Sequence, residues 1–333
     1  MRKKIFWALA IFSLMIFSLI NAFPVKAIEK PKSYPTRSIE VVVGYGAGGG
    51  SDLFARAVVE EAKKIVKVPM VVVNKPGAGG VVALEYLQSQ PADGYTIWAG
   101  SSTVLVTAGL LGTTKYQYTD FQPIIRAQLD TMMLLVKAGG KFKNIQELIA
   151  DAKARPGQQS WGVVGLAHGY TAFIADSFVR AVGITPKIIP FDKAGQQHAS
   201  LLGGHTDAML EEPGAALSLI EGKKVIPVAV FAENRVPIFP DVPTTVEMGA
   251  KEVLGIYRGI VVKKGVPEDI VRYLEEVFTT AINTPSYKKY EKESFLDWRK
   301  GYLNSKDFAE FMRKDAERAT EFFKRTGVYQ IKK

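Results

Sequence analysis

There is no cysteine in the 333 residues. That absence excludes disulfides, thiolate metal sites and a cysteine nucleophile. It also excludes the lipidated cysteine that tethers some exported proteins to a membrane. Histidine is scarce: His168, His198 and His205 are the only three. None has a second ligand at a metal-binding spacing, so a metal site is not expected. After residue 27 no stretch is apolar over the ~20 residues that a membrane-spanning helix needs. No run of Lys and Arg interleaved with aromatics occurs, which makes nucleic acid a poor partner. No Gly-x-Ser-x-Gly elbow exists, and Ser101 and Ser102 have no evident base beside them, so acyl transfer has little support.

What is present begins with a three-part leader. Arg2, Lys3 and Lys4 precede an uncharged apolar run from Ile5 to Ile20, and Val25-Lys26-Ala27 follows as a small-x-small cleavage pattern. Residues 1–27 therefore read as a cleavable signal peptide, and the mature chain as a freely diffusing exported protein. Its removal leaves 306 residues, enough for two ordinary domains. Arg2, Lys3, Lys4 and Lys26 leave with it, so the formal charge of +10 falls to about +6. A mild positive field favours encounter with small anions.

The remainder alternates strands, glycine-rich loops and helices. Ile39 to Val43 is a β-branched run that ends in Gly44-Tyr45-Gly46-Ala47-Gly48-Gly49-Gly50, with Ser51 as expected helix cap and Asp52 in the first turn. Strands at 70–73 and 96–99 follow the same grammar, the second closing on Gly100-Ser101-Ser102-Thr103. A second series runs through a helix at 144–154, a strand at 161–164, the loop Gly165-Leu166-Ala167-His168-Gly169, and Glu211-Glu212-Pro213. Strand, glycine loop and helix in repetition indicate open parallel α/β sheets. Two extended segments, 124–136 and 254–262, are candidate crossings between two α/β units, and a two-strand hinge makes a cleft that can close. The C-terminal part reads as helices at 267–282 and 307–325, the latter capped by Asn304 or Ser305.

Gly44-x-Gly46-x-x-Gly49 fits the dinucleotide fingerprint in form. That fingerprint expects an acid at the end of the second strand, where this chain has Asn74. The physics of such a loop is more general: open backbone N–H groups at a helix start make an anion seat. Gly165 to Gly169 offers a second seat, in which His168 is a candidate donor, and Ser101 and Ser102 offer hydroxyls. Glu211-Glu212 is unusual for a site that takes only anions. The bland reading is a solvated pair; an acid facing the cleft would meet an amino group or share a proton.

Several segments, in this order and spacing, resemble the Bug-type substrate-binding proteins of the tripartite tricarboxylate transporters. They are Tyr34-Pro35-Thr36-Arg37, Gly48-Gly49-Gly50-Ser51-Asp52, Val73 to Gly80, Ala92-Asp93-Gly94-Tyr95-Thr96, Leu201-Leu202-Gly203-Gly204 with Asp207, and Pro240-Asp241-Val242-Pro243-Thr244. The resemblance implies a two-lobe α/β periplasmic binding protein of the type II, Venus-flytrap kind. It implies no catalysis, no cofactor, a small carboxylate ligand and a membrane permease of two subunits. It places the ligand against Tyr45, Gly46, Ala47, Gly48, Gly49, Gly50, Ser51 and Asp52, and against Gly165, His168, Gly169 and Tyr170. Tyr257 and Arg258, which resemble a segment of the return hinge strand, join them, beside Ser101, Ser102 and Glu211 from the residue reading. Residues 28–130 with 256–333, and residues 131–255, are the expected domains. Nothing demands more than a monomer. The second-lobe loop is more apolar here than in that family, which favours a ligand with hydrocarbon or aromatic surface. The alternatives are a Rossmann-type oxidoreductase and a carboxylate sensor docked on a receptor.

Overall fold

The architecture follows from two sets of near-continuous apolar strands, each too hydrophobic to leave either face in water. The computed structural model describes residue 28 and residues 30–165, 169–191 and 193–330. The expected signal peptide and His168 lie outside the described residues. In the first sheet β1 (Ile39–Val43) pairs in parallel with β2 (Met70–Asn74) on one side and β3 (Thr96–Ser101) on the other. Beyond β3 come β10 (Tyr257–Lys263) and β4 (Phe121–Leu129), giving the order β2-β1-β3-β10-β4.

The second sheet repeats this plan. Its strands are β5 (Met132–Lys137), β6 (Ser160–Val164), β7 (Lys187–Phe191), β8 (Ala208–Glu211) and β9 (Val225–Phe231), in the order β7-β6-β8-β5-β9. In both sheets three parallel strands are followed by one antiparallel strand that has arrived from the other sheet: β10 in the first, β5 in the second. The chain leaves the first sheet after Leu129 and enters the second at Met132, so the single extended segment expected at 124–136 is two strands with Asp130-Thr131 between them.

Ten helices occur among the described residues. They are α1 (Gly50–Val66), α2 (Val81–Ser89), α3 (Thr103–Leu110), α4 (Ile145–Ala154), α5 (Tyr170–Val182), α6 (Ala194–Leu202), α7 (Pro213–Glu221), α8 (Glu268–Ile282), α9 (Pro285–Glu293) and α10 (Ser305–Arg325). Helix α10 starts where expected, with Asn304 Oδ1 accepting from Asp307 N at 2.8 Å. Helix α9 was not expected. Its signal is Thr284-Pro285: the threonine caps Tyr287 N and the proline sits in the first turn.

Helix α10 fastens the lobes together. Phe308 is fully buried, with its ring 6.1 Å from that of Tyr257. It fits because residue 259 of β10 is glycine: a Cβ there would stand 2.7 Å from the Phe308 ring. Further along α10, Phe322 packs on Phe173 of α5 at 5.2 Å, and Arg325 pairs with Asp176 at 2.6 Å. Phe308→Ala should cost about 3–5 kcal/mol of unfolding free energy, read from urea denaturation. A loss below about 1 kcal/mol would place this helix outside the core.

Candidate functional site

In an open α/β sheet, ligands meet the carboxyl ends of the strands where the chain order reverses. Each sheet here has one such point, beside β1 and beside β6, and both open on the same cavity. Its volume is about 740 Å³, inside the roughly 300–1,000 Å³ of small-molecule sites. Tyr45, Gly48, Gly49, Gly50, Ser51 and Ser101 line it from the first lobe, and Gly165, Gly169, Tyr170 and Glu211 from the second, with Arg258 between them. These expected residues are brought together.

The helix starts give the site its chemistry. The first N–H groups of a helix have no partner within it. Helices α4, α9 and α10 satisfy one of theirs with a side chain, from Asn144, Thr284 and Asn304 respectively. None of these three begins at the cavity. The other seven described helices have no side-chain cap, and six of them, α1, α2, α3, α5, α6 and α7, place their first residue on the cavity wall. The seventh, α8, instead carries Glu268 and Asp269 in its first turn. At α2 the first N–H groups are already taken, Val81 N by Ala78 O and Val82 N by Gly77 O at 3.5 Å. The other five helix starts bring open N–H groups and partial positive charge to one cleft, which is an environment for an anion.

Five expected residues do not line the cavity. Gly46 and Ala47 are exposed at the outer tip of the loop. Asp52 is buried and turned toward β2: it accepts from Gly48 N and Arg56 Nε at 2.9 Å, and from Asn74 Nδ2 at 2.9 Å. Asn74 also donates to the Tyr45 carbonyl at 2.9 Å, so Asp52 and Asn74 shape the loop and do not face the cleft. Ser102 is fully buried, and its N–H bonds Tyr257 O at 3.0 Å. Tyr257 points the opposite way from Arg258, as successive strand residues must. Ser51 is not the cap of α1, a place taken by Gly49; its Oγ accepts from Ser101 N at 3.1 Å and ties α1 to β3.

The sequence reading missed several lining residues, Leu53, Thr103, Asp130, Thr131 and Tyr290, and of Glu211 and Glu212, between which it left the choice open, both line the cavity. Thr103 was visible as the last hydroxyl of the Gly100 loop; its Oγ1 lies 2.9 Å from Ser101 Oγ. Leu53 is one turn on from Gly50 and is half exposed, presenting an apolar wall.

Arg258 is 6 % exposed and sits over the start of α1, where a Cβ on residue 50 would lie 2.5 Å from its Nη2. Its Nη1 pairs with Asp130, and its Nη2 meets both carboxylate oxygens of Glu212 at 3.0 Å. Burial, then the neighbouring Glu211, push the Glu212 carboxyl up to about 8, while the guanidinium beside it pulls the other way. Glu211 is 6 % exposed and accepts from Glu212 N at 3.0 Å and lies 3.1 Å from His198 Nε2. The pair is thus not simply solvated. Among the described residues no group of three His, Cys, Asp or Glu side chains is placed to hold a metal ion.

Two lobes of one topology, two crossings and a shared cavity ringed by open helix starts define a two-lobe periplasmic-type solute-binding protein. The comparisons with known proteins agree. A UPF0065 protein of Cupriavidus necator, from the gbd 5' region, is 31% identical over 312 residues, covering 93% of each chain. A TctC solute-binding protein from Polaromonas is 27% identical with a TM-score of 0.71, covering 88% of this chain and 100% of the other. The periplasmic binding protein BugD is 26% identical with a TM-score of 0.73, covering 89% and 99%. The family model described as tripartite tricarboxylate transporter family receptor matches residues 54–328, and the chain belongs to that family. The Bug-type resemblance and the two-lobe α/β fold expected from the sequence are borne out.

A second feature, on the core side of β10, responds to pH. Tyr170, at the start of α5, donates to both oxygens of Asp315 on α10 at 2.9 and 3.0 Å, and Tyr257 donates to Oδ2 at 2.9 Å. Burial, the largest influence, pushes the Asp315 carboxyl up to about 6, against Arg318, the two hydroxyls and Arg126. The folded protein thus holds this proton more tightly than the unfolded chain does. The stabilisation is complete below the unfolded value of 3.8 and is lost as pH rises through about 6. It amounts to something on the order of 3 kcal/mol. Urea denaturation between pH 4 and pH 7 should show a downward slope with pH that is shallower in Asp315→Asn. Equal slopes in the two proteins would remove Asp315 as its source.

Proposed function

We propose that this chain captures a small carboxylate in the cleft between its lobes and delivers it to a membrane permease of two subunits. The observation that carries this reading is the convergence of five helix starts with open N–H groups, those of α1, α3, α5, α6 and α7, on one cavity. The family description supports it, since it names a receptor of a tricarboxylate transporter. Export to the periplasm follows from the leader at residues 1–27. No described helix is long and apolar enough to cross a membrane.

The proposed ligand contacts are the Gly48 to Ser51 segment, Ser101 and Thr103 on one lobe, and Gly165, Gly169 and Tyr170 on the other. His168 belongs to the proposal as a donor from the second loop. Residues 28–130 with 256–333, and residues 131–255, are the proposed moving units. A ligand touching both is held best when the cleft is shut, so it shifts the population toward the closed state. The apolar wall around Leu53, Val104, Met132 and Leu210 suits a ligand with a hydrocarbon body. Catalysis forms no part of the proposal. The hydroxyls of Ser101 and Thr103 bond each other, and the end of β2 carries Asn74, which is bonded into the loop, and not a ribose-binding acid.

Thermal melting of the mature protein against mono-, di- and tricarboxylates, with NAD as control, tests the reading. At a ligand concentration 100 times Kd the gain is about 2.7 kcal/mol, a readily measured shift. Leu53→Asp places a negative charge on the wall beside the α1 start, at a half-exposed position. It should weaken carboxylate binding at least ~10-fold with little change in the unliganded melting temperature. Stabilisation by NAD alone, or unchanged carboxylate affinity in Leu53→Asp, would overturn the placement.

A further inference from the structure

The cavity wall is acidic, although the chain as a whole carries a formal charge of +10. Among its described lining residues are four carboxyls, Asp130, Glu211, Glu212 and Glu293, against one guanidinium, Arg258. That guanidinium is already bonded to both Asp130 and Glu212. It therefore cannot balance the site, and it is not free to receive a ligand carboxylate alone. Glu211 and Glu212 are adjacent in sequence and both line the cleft, and Glu211 raises the cost of ionising Glu212.

Buried polar atoms without partners lie at the same corner. Asp130 and Thr131, both 2 % exposed and both on the cavity wall, keep Asp130 Oδ1 and Thr131 Oγ1 without a hydrogen-bond partner. An unpaired carboxylate oxygen at this depth is costly. Arg258 Nε is also without a partner, so one open cationic donor stands beside the open carboxylate oxygen, and Asp130, Glu211 and Glu212 still outnumber the single guanidinium.

We infer that the ligand is a zwitterion, with a carboxylate held at the open helix starts and a cationic nitrogen held by Glu212, Glu211 and Asp130. This deepens the carboxylate reading and rests on it. The two ends of the ligand divide the cavity between them. The start of α1 takes the negative end, and the β8–α7 corner takes the positive end. Arg258 lies between the two, within reach of Gly50 on one side and Glu212 on the other. An ammonium placed at Glu212 loosens that carboxylate's hold on Arg258 and frees guanidinium N–H groups to face the ligand carboxylate. The apolar wall receives the carbon skeleton. A plain dicarboxylate, by contrast, would set a second negative charge against an acidic corner.

Matched ligand sets decide the matter in calorimetry on the mature protein. Each carbon skeleton, straight-chain from four to eight carbons and benzoic, is offered as the plain acid, the diacid and the amino acid. The amino acid of the best-bound skeleton should bind at least tenfold more tightly than its plain acid and its diacid. Glu212→Gln should reduce that preference to less than threefold while leaving the plain acid's affinity unchanged or improved. A plain acid or diacid that binds best overturns the zwitterion and leaves the carboxylate reading standing. Tight binding of the corresponding simple amines, with no gain from the carboxylate, overturns the carboxylate reading itself. A preference that survives in both Glu212→Gln and Glu211→Gln refutes the assignment of the acidic corner, and the wild-type comparison holds even if a variant folds poorly.

Discussion

A helix that begins without a cap leaves N–H groups that something must satisfy, and this constraint organises the cleft. Backbone donors are almost never left unpaired inside a protein. Six helices here start without a side-chain cap at one cavity, and in five of them the first N–H groups are open, those of α2 being taken by Ala78 O and Gly77 O. The three that begin elsewhere with a side-chain cap are closed by Asn144, Thr284 and Asn304. The difference is one of placement. Parallel strands all deliver their following helices to the same edge of the sheet, so the helix starts of each lobe crowd toward its switch point. Two such sheets, turned toward each other, double the effect. Neither lobe alone surrounds a ligand, and together they surround it with donors whose partner is supplied by water or by an anion.

The joint between the lobes serves this arrangement. Because β5 and β10 are each inserted as the antiparallel fourth strand of a sheet the chain has just entered, both crossings pass the base of the cleft. Asp130 belongs to one crossing and Arg258 opens the strand after the other, and their pairing ties the two together. Removing one partner of such a buried pair is far more harmful than never having it, since the other charge is stranded. On the far side of β10 a second tie runs from Tyr170 and Tyr257 to Asp315. Burial raises both phenols well above their usual range, so they remain protonated donors to the carboxylate. One strand thus carries a charged tie facing the cleft and a hydrogen-bonded tie facing the core, at adjacent residues.

That alternation also explains how much was legible in the sequence. The fold class could be read because β-branched runs ending in glycine have few other uses, and the glycine loops could be read as seats because the helix after them was visible. Which side chains face the seat could not be read in the same way. Tyr257 and Arg258 look equivalent as neighbours in sequence, but a strand sends them to opposite faces. Asp52 follows Ser51 directly, yet a rotation of about 100° along the helix turns it from the cleft toward Asn74. Ser51 is the right residue type for a cap, and tertiary contact with Ser101 gives its hydroxyl another task. Glu212 was singled out with Glu211, but what it faces was hidden for a related reason. Its meaning depends on Arg258, 46 residues away in sequence, and no local pattern announces that pairing.

Charge at the scale of the molecule and charge at the scale of the site have separate roles. A net positive chain attracts anions over distances of about a Debye length, roughly 8–10 Å in physiological salt. That field acts on the rate of encounter and treats all small carboxylates alike. Inside the cleft the helix starts would act on the proposed carboxylate and the acidic corner on whatever else such a ligand carries. An acid at the β8–α7 corner adds nothing to the capture of a bare anion and works against it. Arg258 meets part of its cost at Glu212, and His198 and the Glu212 N–H lie against Glu211. The proposed cationic nitrogen would offset what remains at this buried corner. On the proposed reading, a corner of this kind would discriminate by exclusion: a second carboxylate would be refused there by the same residues that a cationic nitrogen would satisfy.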